Sequence, residues 1–366
     1  MENFNILLLN GDGIGPDVMA EAEKIIAWLN ANTDITLTTE HGLLGGDAYD
    51  KTGSPYPPET QKQAHKADAV LLAAIGGPKW KDVPFAKRPE QGLLDIRSDL
   101  DLFANLRPAQ VFPGLEEASS LKNELIKGLD ILIVRELMGG IYFGTPRGIE
   151  TLPDGQKRGY NTTSYSTTEV ARITDVAFKA ARLRNNKVCS VDKANVLESS
   201  VVWREAISQK AAADFPDIHL EHQYVDNAAM QLTMHPQQFD VIVAPNLAGD
   251  VLSDIAAAIT GSIGLLPSAS VGVGGKGLYE PVHGSAPDIA GQGIANPLAM
   301  ILSLAMLLET TCQRPDLAAL LKGAVAATIK QGARTADMAR GNEKTLSTTQ
   351  MGKALMTQLN QLQELS

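Results

Sequence analysis

From its first residues this chain alternates short apolar runs with helically spaced apolar side chains, and that alternation restricts it to an α/β architecture. Ile6-Leu7-Leu8-Leu9 reads as a buried strand. Val18, Ala22, Ile25, Ile26 and Leu29 then recur at helical spacing, with Pro16 well placed in the first turn. Residues 68–75 read as a second buried strand, ending at Gly76-Gly77. Residues 131–134, 188–191 and 239–244 have the same character. Ser166-Thr167-Thr168-Glu169 has the form of a capping box, and Val170, Ile173, Ala177, Ala180 and Arg184 follow on one helical stripe. Another helix is expected over 199–213, and the chain from Asn296 onward is expected to be mostly helical. The 145–165 stretch is rich in Gly, Thr, Tyr and Pro, with Asp154-Gly155 as a hairpin-turn signal, and predicts an antiparallel excursion.

A length of 366 residues suggests two domains, or one with a large lobe. The formal charge of −10 argues against nucleic acid or an anionic membrane as the main partner. An anionic substrate therefore needs a local cluster of cations. No apolar stretch reaches the roughly 18 residues that a membrane span requires. The first apolar run has no basic segment before it and reads as a strand rather than a signal peptide. Cys189 and Cys312 form no CxxC pair, and two thiols in so long a chain suit a reducing compartment.

Two glycine-rich stretches resemble phosphate loops and fail the test of context. Gly11-Asp12-Gly13-Ile14-Gly15-Pro16 follows a strand and opens a helix, but Pro16 stands where the third glycine of GxGxxG belongs. Gly272-Val273-Gly274-Gly275-Lys276-Gly277 matches by letter, yet leads into Leu278-Tyr279-Glu280-Pro281, which does not read as a helix. A standard Rossmann or P-loop fold is therefore not expected. His283-Gly284-Ser285-Ala286-Pro287-Asp288-Ile289 is a different candidate. Its small residues allow close backbone approach, and Asp288 could accept hydrogen bonds from a ribose diol while repelling a phosphate there.

The candidate chemistry lies further along. Asp250 and Asp254, in Asn246-Leu247-Ala248-Gly249-Asp250-Val251-Leu252-Ser253-Asp254, sit four apart at the start of an apolar helical segment. That spacing puts both carboxylates on one face, where a hard divalent cation could sit between them. The simpler reading is two solvated acids in the first helical turn. Arg97, Arg107 and Arg135 are candidate carboxylate ligands because a guanidinium binds carboxylate in a planar fork. Arg135 ends an apolar run, where α/β sheets place ligand contacts. Lys193 follows the strand at 188–191 and is a candidate proton acceptor, and Tyr142 follows a pair of glycines. Asp226 begins Asp226-Asn227-Ala228-Ala229-Met230 and could be a plain N-cap.

Taken in order, these segments resemble the β-decarboxylating isocitrate/isopropylmalate dehydrogenase family. The resemblance runs from Gly11 to about residue 305 and includes Glu90-Gln91-Gly92-Leu93-Leu94-Asp95-Ile96-Arg97, Leu102-Phe103-Ala104-Asn105-Leu106-Arg107-Pro108, Arg135-Glu136-Leu137, Asp192-Lys193-Ala194-Asn195-Val196 and the stretch from Glu280 to Asn296. It implies two open α/β domains: a discontinuous cofactor domain, 1–102 plus 261–366, and a substrate, metal and dimerisation domain, 103–260. An arm near 140–165 would help build a homodimer with shared active sites. The implied reaction is oxidative decarboxylation of 3-isopropylmalate in leucine biosynthesis, in the cytoplasm, with NAD and Mg²⁺ or Mn²⁺.

The resemblance also implies roles. Arg97, Arg107 and Arg135 would hold the substrate carboxylates, with Asn195 and Val196 also at the substrate. Leu93 and Leu94 would wall an apolar pocket for the isopropyl group, where the third carboxylate of isocitrate would be buried unpaired. Asp226, Asp250 and Asp254 would ligate the metal, Asp226 from the neighbouring subunit. Lys193 would take part in deprotonating the C2 hydroxyl, and Tyr142 would protonate C3 once CO₂ has left. Glu90, Gly76, Gly77 and Glu280 would lie near the nicotinamide. His283, Gly284, Ser285, Ala286, Asp288, Ile289 and Asn296 would hold the adenosine half. Asp288 and Ile289 stand where NADP-using relatives carry Lys and Tyr, which favours NAD. The chain departs from the common pattern at Asn10, where Pro is usual, and at Ala248, where an aromatic is usual.

Overall fold

The computed structural model describes residues 2–364. The chain opens with β1 (Glu2–Gly11), α1 (Gly15–Asn32), β2 (Ile35–Gly42), α2 (Gly46–Thr52), α3 (Pro58–Lys66) and β3 (Ala69–Ala74). It continues through α4 (Pro89–Asp99), β4 (Ala104–Gln110), α5 (Asn123–Ile126), β5 (Asp130–Glu136), β6 (Gly148–Thr151) and β7 (Lys157–Tyr160). Next come α6 (Thr167–Arg182), β8 (Lys187–Asp192), α7 (Glu198–Asp214), β9 (His219–Tyr224), α8 (Val225–Met234), β10 (Val241–Ala244) and α9 (Asn246–Thr260). The remainder is β11 (Pro267–Val271), β12 (Gly277–Pro281), α10 (Leu298–Thr310), α11 (Pro315–Lys330) and α12 (Thr348–Gln363).

Two compact units result. The first comprises residues 1–102, 110–123 and 260–366, and the second 103–109 and 124–259. In the first, the strands run in the order β2-β1-β3-β12-β11. Neighbours are parallel except β12 and β11, which form an antiparallel pair. Ile6 to Leu9 and every residue of β3 are buried. Strands covered on both faces lose the polar alternation of half-exposed ones, which is why these read as continuous apolar runs. α10 is buried from Leu298 to Leu308; its one hydroxyl there, on Ser303, donates to the Ala299 carbonyl. The 272–277 glycine stretch is the turn joining β11 to β12, so its GxGxxG lettering serves a hairpin.

In the second unit the order is β4-β5-β10-β8-β9, with β5, β10, β8 and β9 parallel to their neighbours. The Ser166 capping box is complete. Ser166 Oγ accepts the Glu169 N–H at 3.3 Å, and a Glu169 carboxylate oxygen accepts the Ser166 N–H at 2.7 Å. The buried stripe of α6 is Val170, Ile173, Thr174, Ala177, Phe178 and Ala181; Arg184 lies beyond the helix end rather than on the stripe. β6 and β7 form the antiparallel hairpin expected at 145–165, and nearly all of its residues are exposed.

Candidate active site

The second unit gathers its charged side chains at the C-terminal ends of β5 and β10, where Arg135 pairs in register with Ala244. Ligands of open α/β sheets bind at such strand ends. Arg135 is buried, and its Nε and Nη2 donate to Asn246 Oδ1 at 3.0 and 2.8 Å. Its Nη1 donates to Asp250 Oδ1. α9 lies close because Gly249 has no side chain: a Cβ there would fall 2.8 Å from the Arg135 Cβ. Arg107, on β4, donates from Nε to Asn105 and from Nη1 to Ser253 Oγ, both at 2.7 Å. The same Nη1 stands 3.3 Å from Asp250 and 3.9 Å from Asp254. The Tyr142 hydroxyl donates to Asp250 Oδ2 at 3.0 Å, and the Arg135 guanidinium lies over the tyrosine ring.

Asp250 therefore receives two arginines and a phenol. It is the fifth residue of α9 and the exposed Asp254 the ninth, so neither lies in the first turn, where the simpler reading put them. Partial burial raises the Asp254 carboxyl above its ordinary range and the negative charge of Asp250 adds to this, while Arg107 and Arg135 oppose it. Burial likewise raises the Tyr142 phenol, helped by the Asp250 charge and opposed by Arg135. Tyr142 thus keeps its proton at neutral pH.

Lys193 follows β8, and its Nζ donates to Asp226 Oδ1 at 2.5 Å. That hydrogen bond holds the exposed Asp226 carboxyl below the ordinary range. α8 has Tyr224 as its N-cap and Asp226 as its second residue, so the plain N-cap reading fails. Behind Lys193, the buried Asp192 carboxylate accepts from Arg204 at 2.8 and 2.9 Å and from the Ala194 N–H at 2.8 Å. This fixes the turn that leaves Asn195 and Val196 exposed. Among the described residues, no three His, Cys, Asp or Glu side chains of one chain converge on a cation position, so Asp226 does not join Asp250 and Asp254 within the chain. Two adjacent carboxylates of like charge, one with a raised pKa, are nonetheless a fitting part of a hard-cation site.

In the first unit, Arg97 Nη2 donates to Glu280 Oε1 at 2.7 Å, a buried pair between α4 and β12. Arg97 Nε is buried without a hydrogen-bond partner. Leu93 packs against the core cluster around Leu7, Leu9, Ile96 and Leu278, and Leu94 is half-buried. Glu90 lies beside Gly76, whose Cβ, if present, would fall 2.8 Å from Glu90 Oε1. His283 places Nδ1 2.9 Å from the Gly284 carbonyl, so Nδ1 carries the proton, and burial lowers the imidazole pKa. Gly284 and Asp288 are exposed, and a Cβ on Gly284 would meet nothing within 4 Å, which suits a loop that admits a flat ligand. Asn296 is spent internally: its Nδ2 donates to Asp337 at 2.9 Å and its Oδ1 accepts the Leu298 N–H at 3.0 Å.

Sequence reasoning missed several partners. Asp337 accepts from Ser262, Asn296 and Thr335, but stands in a loop with no periodic or motif signal. Tyr165 accepts the Asn246 N–H at 2.8 Å through its hydroxyl, and its ring lies where side chains on Gly139 and Gly140 would be. The paired glycines before Tyr142 were the one available hint of that close approach.

The sequence profile described as isocitrate/isopropylmalate dehydrogenase matches residues 5–355. Among similar proteins, a 3-isopropylmalate dehydrogenase of Acinetobacter baylyi is 57% identical over 354 residues, covering 97% of this chain and 99% of its own. One of Paramagnetospirillum magneticum is 56% identical over 362 residues, covering 98% of each. Among solved structures, an isocitrate dehydrogenase from Methylococcus capsulatus superposes with a TM-score of 0.85 at 33% identity, over 98% of this chain and 99% of that one. A β-decarboxylating dehydrogenase from Thermococcus kodakarensis gives 0.79 at 31% identity, over 99% and 98%.

Proposed function

The chain belongs to the isocitrate/isopropylmalate dehydrogenase family, and from that premise we propose that it oxidises and decarboxylates (2R,3S)-3-isopropylmalate to 4-methyl-2-oxopentanoate and CO₂ in leucine biosynthesis. The observation that carries the reading is Asp250, met by Arg135, Arg107 and Tyr142 one helical turn before Asp254. Bound NAD⁺ and Mg²⁺ or Mn²⁺ supply a hydride acceptor and the Lewis acidity that acidifies an alcohol.

The protein's own groups do the rest. Arg107 and Arg135 bind the malate carboxylates, their guanidinium planes already oriented by Asn105, Ser253 and Asn246. Arg97 contributes a third guanidinium, and its unpartnered Nε supports that role. Lys193 takes part in removing the C2 hydroxyl proton, with its Nζ held by Asp226. Tyr142 delivers its phenolic proton to C3 after CO₂ departs. Asn195 and Val196 border the substrate. Leu93 and Leu94, both half-buried, form the apolar wall for the isopropyl group, and Leu93 also packs on the core beneath α4. Gly76, Gly77, Glu90, Glu280 and the 283–289 loop contact the cofactor, and the exposed Asp288 favours a ribose diol over a 2′-phosphate. Asn296 borders the adenosine half, its amide held by Asp337.

The first unit is then the cofactor domain and the second the substrate, metal and dimerisation domain. A homodimer is supported by exposed apolar residues at one-turn spacing, Met230 and Met234 on α8 and Leu247 and Val251 on α9. The β6–β7 hairpin supports it too, because two strands exposed on both faces are marginal alone. The third metal carboxylate, Asp226, comes from the partner subunit, and Lys193, hydrogen-bonded to it, comes with it. No helix among the described residues is long and apolar enough to cross a membrane. Both cysteines are buried and unbridged, which supports a cytoplasmic location.

A substrate panel tests the assignment. With 3-isopropylmalate, isocitrate, homoisocitrate, tartrate and malate, each with NAD and NADP, the isopropylmalate–NAD pair should have the highest kcat/KM. A higher value for isocitrate would overturn the substrate, and undiminished turnover in excess EDTA would overturn the metal.

A further inference from the structure

Gly11-Asp12-Gly13, at the end of β1, is the one early motif that the reaction leaves unused. Asp12 is buried, and its carboxylate accepts three backbone N–H groups. Oδ2 accepts from Gly46 at 2.9 Å and from Gly76 at 2.8 Å, and Oδ1 accepts from Asp47 at 2.8 Å. These donors belong to two loops far apart in sequence, the start of α2 and the glycine pair after β3. The Asp12 N–H itself donates to the Ala74 carbonyl at 2.9 Å, which ties the residue to the end of β3.

The next residues reach a third loop. The Ile14 N–H donates to the Ser285 carbonyl at 2.8 Å. Gly13 has φ +58°, and a Cβ on it would lie 2.0 Å from that same oxygen, so only glycine allows the approach. Ser285 closes the circuit by donating from Oγ to the Gly76 carbonyl at 2.7 Å. Gly76 is thus gripped at its N–H by Asp12 and at its carbonyl by Ser285. A glycine pair is the most freely rotating dipeptide a chain can contain, and Gly76, at φ +100°, is held in the left-handed region beside Glu90. A carboxylate accepting backbone N–H groups is a charge-assisted anchor, stronger than a neutral one.

We propose that Asp12 is the positioning residue of the cofactor loops: by holding the Gly76 N–H it sets Gly76-Gly77, and through them Ser285, in the arrangement that admits NAD. The proposal rests on the reading of those segments as NAD-binding. Asp12 acts through the backbone of Gly76, and its effect belongs to cofactor affinity rather than to the chemical step.

Asp12→Asn is the test. An amide has one acceptor oxygen, and its NH₂ would face an N–H donor with nothing to accept. The holoenzyme is assayed with 3-isopropylmalate and Mn²⁺, and NAD⁺ binding to the apoenzyme is measured by calorimetry. The variant should raise both the Kd and the KM for NAD⁺ about tenfold or more, with kcat at saturating NAD⁺ within about threefold of wild type. A Kd within about twofold of wild type overturns the proposal, and so does a fall in kcat with KM unchanged, which marks a merely structural role. Should the wild type itself bind no NAD⁺, the cofactor reading fails and the proposal with it, an outcome distinct from a variant that binds like wild type. Hydrogen exchange in the wild type needs no variant to fold. The Gly46, Asp47 and Gly76 amides should exchange slowly although the first two open a helix, where backbone N–H groups have no acceptor within the helix, and Gly76 lies in a loop; fast exchange at Gly76 overturns the anchor.

Discussion

Asp250 and Lys193 each owe their setting to a neighbour of opposite charge. Asp250 draws Arg135, Arg107 and the Tyr142 hydroxyl, and Lys193 holds Asp226. If Arg107, Arg135 and Lys193 meet the substrate as proposed, a chain of net charge −10 can accept a dianion because its cations are concentrated there. Lys193→Ala should lower kcat by roughly two orders of magnitude or more while NAD⁺ binding and the far-ultraviolet spectrum stay unchanged. A kcat near wild type would remove Lys193 from the mechanism. Glu136 gives a prediction for pH. Its carboxylate is fully buried with the Arg172 guanidinium 3.9 Å away, accepts the Met138 and Gly139 N–H groups at 2.8 Å each, and is pushed by burial from 4.5 up to about 7. Because the folded value lies above the unfolded one, the stabilisation is complete below about pH 4.5 and is lost as pH rises through about 7. The effect is on the order of 3 kcal/mol at most. The urea midpoint of the wild type should fall between pH 5 and pH 8 by more than that of Glu136→Gln, and equal falls would refute the assignment.

Among the elements, the most legible were those whose signals are local. The Ser166 capping box could be read because its two hydrogen bonds span only three residues. Ser166→Ala should cost about 1 kcal/mol. Thermal unfolding should register this as a Tm lower by roughly 2 °C, and an unchanged Tm would show that the box adds nothing. Less legible were β2 and β9, whose sequences ITLTTEHG and HLEHQY carry too many polar residues to show an apolar run. Both lie at the ends of their units' strand orders, where one edge of a strand stays unpaired and polar side chains are tolerated. β11 and β12 were hidden for another reason. Their connecting turn uses glycines at 272, 274, 275 and 277, the residue type a phosphate loop would also use. The α9 acids show the converse. Their spacing was correct, but their depth in the helix was not, because the helix begins at Asn246.

For the molecule as a whole, the decisive expectation concerns a second copy. If Lys193 and Asp226 serve the partner's Asp250 and Asp254, a Lys193→Ala subunit and an Asp250→Asn subunit each spoil a different half of the site. Each variant alone should be inactive. Unfolded together and refolded as a mixture, they should recover about a quarter of wild-type turnover, since half the dimers are mixed and each mixed dimer has one intact site. No recovery, with mixed dimers verified by mass, would place both halves of the site in one chain. By itself the sequence determined the α/β alternation and the helical face shared by Asp250 and Asp254. Each of these is a matter of spacing within a few residues, which backbone geometry converts directly into direction. Only the tertiary structure decided which groups meet: Arg97 with Glu280, 183 residues apart, Arg135 with Asp250, 115 apart, and Asp12 with Gly76, 64 apart. Those meetings depend on strand order and register, set by how whole strands and helices bury their apolar faces, and the periodicity of any one segment carries no information about them.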